Sequence, residues 1–419
     1  MSVLVLHQRS PLSTTPYDSW LADYPGDVLL LCSQESLDTF GEGLPAAGRG
    51  YRHVEAVAGY EGGGHLERRV LELAREHRVR YLIAAQERDL DRAAQLREIL
   101  DLPGQRYDGV VPFRDKLTMK RLVGAAGVPV ARHRAVDCAT DLISFARDAG
   151  LPVVVKPRDG AGSFGVRILR DHDALHAFLA DEFDLAEDRR SNLMVEAFVS
   201  DTMCHVDGMI VDGQVVYAWP SRYMYALAVY QDDRDGRMDV TLDADDPLHA
   251  RLLELTDRVL GALPGPADFT FHAEIFLTPD DDLVLGEIAC RTGGAAQRDI
   301  QRTMFGFDPT GCWIRAQVGL PLPFRPGDRL RPRSLTGQLA LLKRPGTVLA
   351  VPGEPPFPWV RSRTVSVKPG DVLGPPAFAA DFMAVFVIEA PDRETSVRRM
   401  RMLERWFLDG TVLSGRGAA

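Results

Sequence analysis

The chain is poor in lysine, in cysteine and in long apolar runs, and each scarcity removes a class of function. Its five cysteines, at 32, 138, 204, 290 and 312, are odd in number and far apart. That spacing offers neither a disulfide framework nor a zinc pattern, and it predicts a reduced, cytoplasmic setting. No apolar run is long enough to cross a bilayer, and the stretch Met1 to His7 has no basic start, so it reads as a first strand and not as a signal peptide. A formal net charge of −10 argues against general nucleic-acid binding, which needs a basic surface. Neither a membrane nor a nucleic acid is therefore expected as a partner. Of the 49 cationic residues only five are lysines, at 116, 120, 156, 343 and 368. Three of them fall between 116 and 156, which suggests positions where a compact ammonium is wanted and a guanidinium is not.

What is present is a globular chain of 419 residues, 45% hydrophobic and 26% charged, long enough for roughly two to four domains. Residues 3–6, 28–32 and 80–85 are strand-like and 66–77 and 89–100 helix-like, the alternation of a small α/β layer with a parallel sheet. After the linker Leu102-Pro103-Gly104, helices are expected over 114–123, 141–149 and 174–179, with strands at 194–199, 204–211 and 214–219. Asp212-Gly213 suits a type I′ hairpin turn. Residues 230–246, with aspartates at 232, 233, 235, 239, 243 and 245, read as a solvated surface excursion. A helix at 247–263, strands at 269–277 and 283–289, and a proline- and glycine-rich β segment from about 320 follow. That last segment, with strand-like runs at 336–342, 364–367 and 383–389 and a helix at 396–407, reads as a separate closing domain.

Val153-Val154-Val155-Lys156-Pro157 reads as a buried strand that delivers one cation. The loop Asp159-Gly160-Ala161-Gly162-Ser163-Phe164-Gly165 follows, and a phosphate chain could approach its glycines closely. The spacing of Gly160, Gly162 and Gly165 fits a dinucleotide fingerprint, but that fingerprint must open a helix. Val166-Arg167-Ile168-Leu169 is instead β-rich, which predicts a hairpin flap. The Walker pattern fails because no Gly-Lys-Ser/Thr closes the loop, and the kinase order is reversed because Lys156 precedes the glycines. An ordinary glycine-rich turn is the competing reading of this segment.

A second constellation lies about a hundred residues on. His272-Ala273-Glu274-Ile275-Phe276 and Leu285-Gly286-Glu287-Ile288-Ala289 are expected on paired strands, which puts Glu274 beside Glu287. Two carboxylates that close repel unless a divalent cation sits between them, and Mg²⁺ typically takes one or two carboxylates plus substrate phosphates. Cys290-Arg291-Thr292-Gly293-Gly294 then offers a guanidinium and exposed amides. Cations, a metal site and a flap are the parts that phosphoryl transfer requires. Taken singly, Cys290 reads as a core residue, His205 and His272 as structural histidines, and Lys120 as an exposed helix cation. Arg222, Tyr223 and Tyr225 read equally well as pocket lining or as a surface loop.

In order along the chain, these motifs resemble the ATP-grasp superfamily, specifically its carboxylate–amine (L-amino acid/peptide) ligase branch. The likeness rests on Phe113-Arg114-Asp115-Lys116 with Met119-Lys120, Val155-Lys156-Pro157 and the 159–165 loop. It continues through Met194-Val195-Glu196-Ala197-Phe198-Val199, His205-Val206-Asp207-Gly208, His272-Ala273-Glu274, and Glu287 to Gly294. The resemblance implies a multidomain α/β and α+β ATP-grasp fold. Its parts would be a pre-ATP-grasp α/β domain (1–110), a first subdomain with the glycine-rich flap (111–200), a second with the metal site (201–325) and a β-rich closing domain (326–419). It implies that Lys116 and Lys156 contact the ATP phosphates under a flap containing Gly160, Gly162, Ser163 and Gly165. Glu196 would accept from the adenine amino group, the backbone at Phe198 and Val199 would read the adenine edge, and Glu274 and Glu287 would bind Mg²⁺ or Mn²⁺. Arg291, with Lys156, would be catalytic, stabilising an acyl phosphate or holding the substrate carboxylate.

The activity implied is ATP-dependent amide or peptide bond formation on an amino acid or small carboxylic acid, with small-molecule carboxylate and amine substrates and a homodimer. Loading of an amino acid onto a carrier protein and non-catalytic ATP sensing are the alternatives. Two positions depart from the family pattern. Ala289 stands where many members carry an asparagine, which removes one metal ligand. The residue expected to hold the ribose falls near Met203, with Asp201 out of register.

Overall fold

The structure, a computed structural model, describes residues 1–48, 50–183, 192–200, 202–225, 236–325, 327–376 and 380–414. The first sheet comprises β1 (Ser2–His7), β2 (Asp27–Ser33), β3 (His53–Val57) and β4 (Val79–Ala84), all parallel in the order β3-β2-β1-β4. Its central strands are apolar without alternation because both faces are covered. Leu4, Leu6, Leu29 and Leu31 pack on Leu66, Val70 and Leu73 of the helix His65–Glu76, whose spacing puts one apolar stripe against the sheet. Val3, Val5 and Leu30 meet Tyr17, Leu21 and Ile314 on the other face.

A second, antiparallel sheet is made by β5 (His133–Val136), β6 (Val153–Pro157), β7 (Arg167–Leu169) and β8 (Leu193–Ala197), in the order β5-β8-β6-β7. β6 and β7 pair as the hairpin that the sequence predicts. The helices Ala139–Ala149 and His172–Asp181 cover one face, with Phe145, Leu175 and Phe178 against Val153 and Val155.

The rest of the chain adds β9 (Met203–Val211), β10 (Gln214–Tyr223), β11 (Arg237–Thr241), β12 (Phe269–Leu277), β13 (Leu283–Ala289) and β14 (Leu335–Leu342). It then adds β15 (Gly346–Ala350), β16 (Val360–Val365), β17 (Val372–Leu373), β18 (Phe382–Ala390) and β19 (Val412–Ser414). Among the described residues, eight of these form one sheet in the order β13-β12-β9-β10-β11-β14-β18-β16. β9 and β10 turn at Asp212 and Gly213, both left-handed with φ of 51° and 71°, as a type I′ turn requires.

Two expectations are corrected here. Residues 237–241, read as part of a solvated excursion, form the buried strand β11 between β10 and β14. Met238 and Val240 point into an apolar core, and Asp239 is tolerated inside because a histidine partners it. Asp232, Asp233 and Asp235 lie outside the described residues. The segment from 326 is also not a separate body. β14 hydrogen-bonds β11 on one side and β18 on the other, so the C-terminal strands complete the large sheet. The helix Arg393–Gly410 seals that half through Met400, Leu403 and Phe407. Of the C-terminal strands described, the small sheet β17-β15-β19 stands apart from it. Among the described residues, no helix is long and apolar enough to cross a membrane.

Candidate active site

Three lysines converge on the seam between the second sheet and the large one. Lys156, on β6, donates from Nζ to Glu196 Oε1 on the adjacent strand β8 at 2.5 Å. Lys120, from the helix Lys116–Ala125, stands 3.1 Å from the other oxygen of Glu196 and donates to the Gly286 carbonyl at 2.9 Å. Lys120 is completely buried, which corrects its reading as an exposed helix cation. Burial pushes its pKa down, with Glu196 opposing. Burial also acts against the charge of Lys156, but Glu196 and Glu287 outweigh it and hold the ammonium above its ordinary range. Burial would raise Glu196 too; the two ammonium groups instead take it down to about 2. Lys116, at the start of the same helix, donates to the Gly160 carbonyl at 2.5 Å and lies 3.1 Å from Glu287 Oε2. It therefore ties the glycine loop to the carboxylate hairpin.

The loop between β6 and β7 needs its glycines. Gly162 and Gly165 have φ of 64° and 71°, and Ser163 between them is also left-handed at 59°, a costly position for a residue with a Cβ. Phe164 at the tip is 68% exposed. The loop opens into β7 and not into a helix, which removes the dinucleotide reading.

Glu274 on β12 and Glu287 on β13 are direct cross-strand partners. Neighbouring carboxylates in that register repel one another, so the pair calls for a cation, and an all-oxygen donor set suits Mg²⁺ or Mn²⁺. Ala289 faces His272 across the same ladder and adds no donor. Behind Glu274 runs a buried polar chain. His272 Nε2 lies 3.4 Å from Glu274 Oε1, and its Nδ1 lies 3.1 Å from Asp207 Oδ1. His205 bridges Asp207 Oδ2 at 2.6 Å and Asp239 Oδ1 at 2.9 Å, and Gln297 donates to Asp239 at 2.6 Å. Burial opposes charge on both imidazoles, yet the aspartates raise His205 to about 10 and His272 to about 9. His205, Asp207 and His272 could in principle gather a metal ion, with ligand atoms within 4.8 Å of one another. Each is already consumed by the others, so the cluster works as a scaffold behind β12.

Arg291 is held by a residue that the sequence reading did not single out. Its Nε and Nη2 donate to Glu87 Oε2 at 2.8 and 2.5 Å, and Arg114 Nη1 donates to the other oxygen at 2.7 Å. The two guanidiniums overcome burial and hold Glu87 at about 2. Glu87 follows β4, at the carboxyl end of a parallel sheet, where α/β proteins place their site residues. That position is the signal that could have found it. Likewise, the scarcity of lysine flagged Lys120.

These groups border one cleft of about 240 Å³. Lys116, Lys156, Gly160, Gly162, Ser163, Glu196, Phe198, Val199, Glu274, Glu287 and Arg291 all line it. Tyr223 and Tyr225 line it and Arg222 does not, while Gln338 and Phe382 close it from the C-terminal strands. Cys290 is buried, and burial raises its thiol to about 11, as suits a core residue. Asp201 lies outside the described residues.

The family model of the carbamoyl-phosphate synthase L chain ATP-binding domain matches residues 115–214, which carry the lysines and the flap. A solved L-amino acid ligase from Bacillus licheniformis superposes with a TM-score of 0.78 at 15% identity, covering 99% of both chains. The chain has the ATP-grasp fold. A biotin carboxylase domain of a 2-oxoglutarate carboxylase from Hydrogenobacter thermophilus, solved with MgADP, shares the ATP-grasp architecture at a TM-score of 0.67 and 16% identity, covering 99% of this chain and 90% of that one. In sequence the likeness lies with the carboxylate–amine ligase branch. The L-arginine-specific L-amino acid ligase of Bacillus subtilis is 26% identical over 219 residues, 51% of this ATP-grasp chain and 52% of that ligase. The match thus spans about half the length of that relative.

Proposed function

We propose that the chain is an ATP-dependent carboxylate–amine ligase that joins an amino acid or small carboxylic acid to an amine. The observation that carries this reading is the facing pair Glu274 and Glu287, in one cleft with Lys116, Lys156 and Arg291. A substrate carboxylate oxygen attacks the γ-phosphorus of ATP, and ADP leaves. The amine nitrogen then attacks the carbonyl carbon of the acyl phosphate, phosphate leaves, and the nitrogen gives up its proton.

In this reading Lys116 and Lys156 neutralise the phosphates, and the 159–165 flap covers them. Glu196 sets the position of Lys156 and Lys120 and keeps lone pairs for the adenine amino group, because a carboxylate has about four acceptor sites. The backbone at Phe198 and Val199 reads the adenine edge. Glu274 and Glu287 are the residues that would hold Mg²⁺, or Mn²⁺ in its place, which would supply neutralisation of phosphate charge. Arg291, braced by Glu87, faces the acyl phosphate or the substrate carboxylate. Phe382 and the flap exclude water that would hydrolyse the acyl phosphate. A homodimeric assembly belongs to this proposal as well.

ADP release across a panel of acids and amines tests it. One acid is expected to support release that rises when the right amine is added, with the activity lost in Lys156→Ala and Glu287→Ala. Near-wild-type release in either variant would sink the site assignment.

A further inference from the structure

A second cleft, of about 520 Å³, lies along the outer edge of β4, away from the cleft already described. Its floor is the edge strand from Tyr81 to Ala84, and its walls are residues 103–106, Gly109, the 264–268 loop, Trp313 and Gln317. Arg97 stands in it almost completely buried, 2% exposed. Its guanidinium donates through Nε and Nη2 to the Leu82 carbonyl at 3.0 and 2.7 Å and through Nη1 to the Gln105 carbonyl at 3.2 Å. Those bonds use three of its five N–H groups, and among the described residues no carboxylate pairs with it. A buried guanidinium served only by carbonyls keeps its full charge uncompensated, which proteins rarely leave standing.

The surroundings repeat that sign. Arg106, at the mouth, donates to the Arg97 carbonyl at 3.3 Å, and the carboxylate near it, Asp101 at 3.7 Å, is itself 99% exposed and so screens it weakly. The one acid in the wall, Asp268, spends a carboxylate oxygen on the Asp212 amide at 2.9 Å. Tyr81, Trp313, Pro264 and Pro266 add flat apolar lining, and Gln105 and Gln317 add uncharged polar groups.

We propose that this cleft binds a small aromatic or branched apolar carboxylate, its anionic end on Arg97 and Arg106 and its apolar body against Tyr81 and Trp313. The site is independent of the ligase reading, because it shares no lining residue with the first cleft.

Calorimetric titration of the full chain with benzoate, in saturating MgADP, tests the assignment, with inorganic phosphate and the uncharged benzamide as comparisons. Benzoate is expected to bind, benzamide not to bind, and phosphate to bind more weakly for want of an apolar body. Arg106→Glu, an exposed change that leaves the fold alone, is expected to weaken benzoate about tenfold. Ala267→Trp, which fills the mouth, is expected to abolish binding, and Arg291→Ala to leave it unchanged. Absence of benzoate binding in the wild-type chain would overturn the proposal. So would binding that survives both Arg106→Glu and Ala267→Trp, or that disappears with Arg291→Ala.

Discussion

Asp89 shows how a single residue sets a pH limit on this fold. It is fully buried, accepts from Gln8 at 2.7 Å and Tyr60 at 3.3 Å, and has Arg92 3.7 Å away. Burial outweighs these partners and raises its carboxyl to about 7. The folded state therefore keeps a proton that the unfolded chain has already lost above its ordinary carboxylate pKa. Stability tied to that proton is present at low pH and fades as pH rises through about 7. Asp89→Asn, which keeps the shape and removes the titration, is expected to gain on wild type in urea unfolding as pH rises from about 4 to about 8. A stability difference that does not change with pH would contradict this account. Residue chemistry was partly legible in the sequence: Lys116, Lys156, Glu274, Glu287 and Arg291 were chosen from type and order. Glu87 and Asp89 were not, because their roles depend on neighbours distant in the chain.

Among the elements, the flap and the β12–β13 hairpin position the chemistry, and they differ in how much strain they carry. The hairpin ladder shifts register once, at Gly286 beside the Glu274–Glu287 pair, and is backed by the His272–Asp207–His205–Asp239 chain, so its carboxylates are presented on a braced face. The flap holds three residues at positive φ within four positions. A Cβ at Gly165 would meet Pro157 Cγ at 3.0 Å and Cδ at 3.2 Å, at a φ of 71°. Gly165→Ala should therefore cost about 1 kcal/mol of local strain. Its main effect is expected in the KM for ATP, raised several-fold with kcat less affected, as steady-state kinetics would show; an unchanged KM would mean that the flap does not cover ATP. Strand–loop–strand was readable because apolar runs bounded the glycines. β11 was not, since its five residues follow an acidic stretch and the residue that partners Asp239 sits on β9.

For the whole molecule, the unforeseen result is continuity. A proline-rich segment after 320 suggested a detachable closing domain, yet β14 lies in the interior of the large sheet, and β18 beside it gives Val387 to one hydrophobic core and Phe386 and Ile388 to another. Sequence patterns report local periodicity and cannot show which strands pair across a hundred residues. Truncation after Arg325 would leave β11 an open, apolar edge, and such edges aggregate. The shortened chain is expected in the insoluble fraction, whereas a soluble, cooperatively unfolding fragment would show that the C-terminal part is separable. The central claim, that the cleft activates a carboxylate as an acyl phosphate, is tested most directly with hydroxylamine as the amine. The account predicts a hydroxamate that requires ATP, a divalent cation and one particular carboxylic acid, and that Lys156→Ala does not form. Binding of ATP without hydroxamate from any acid tried would contradict it and point to a nucleotide sensor.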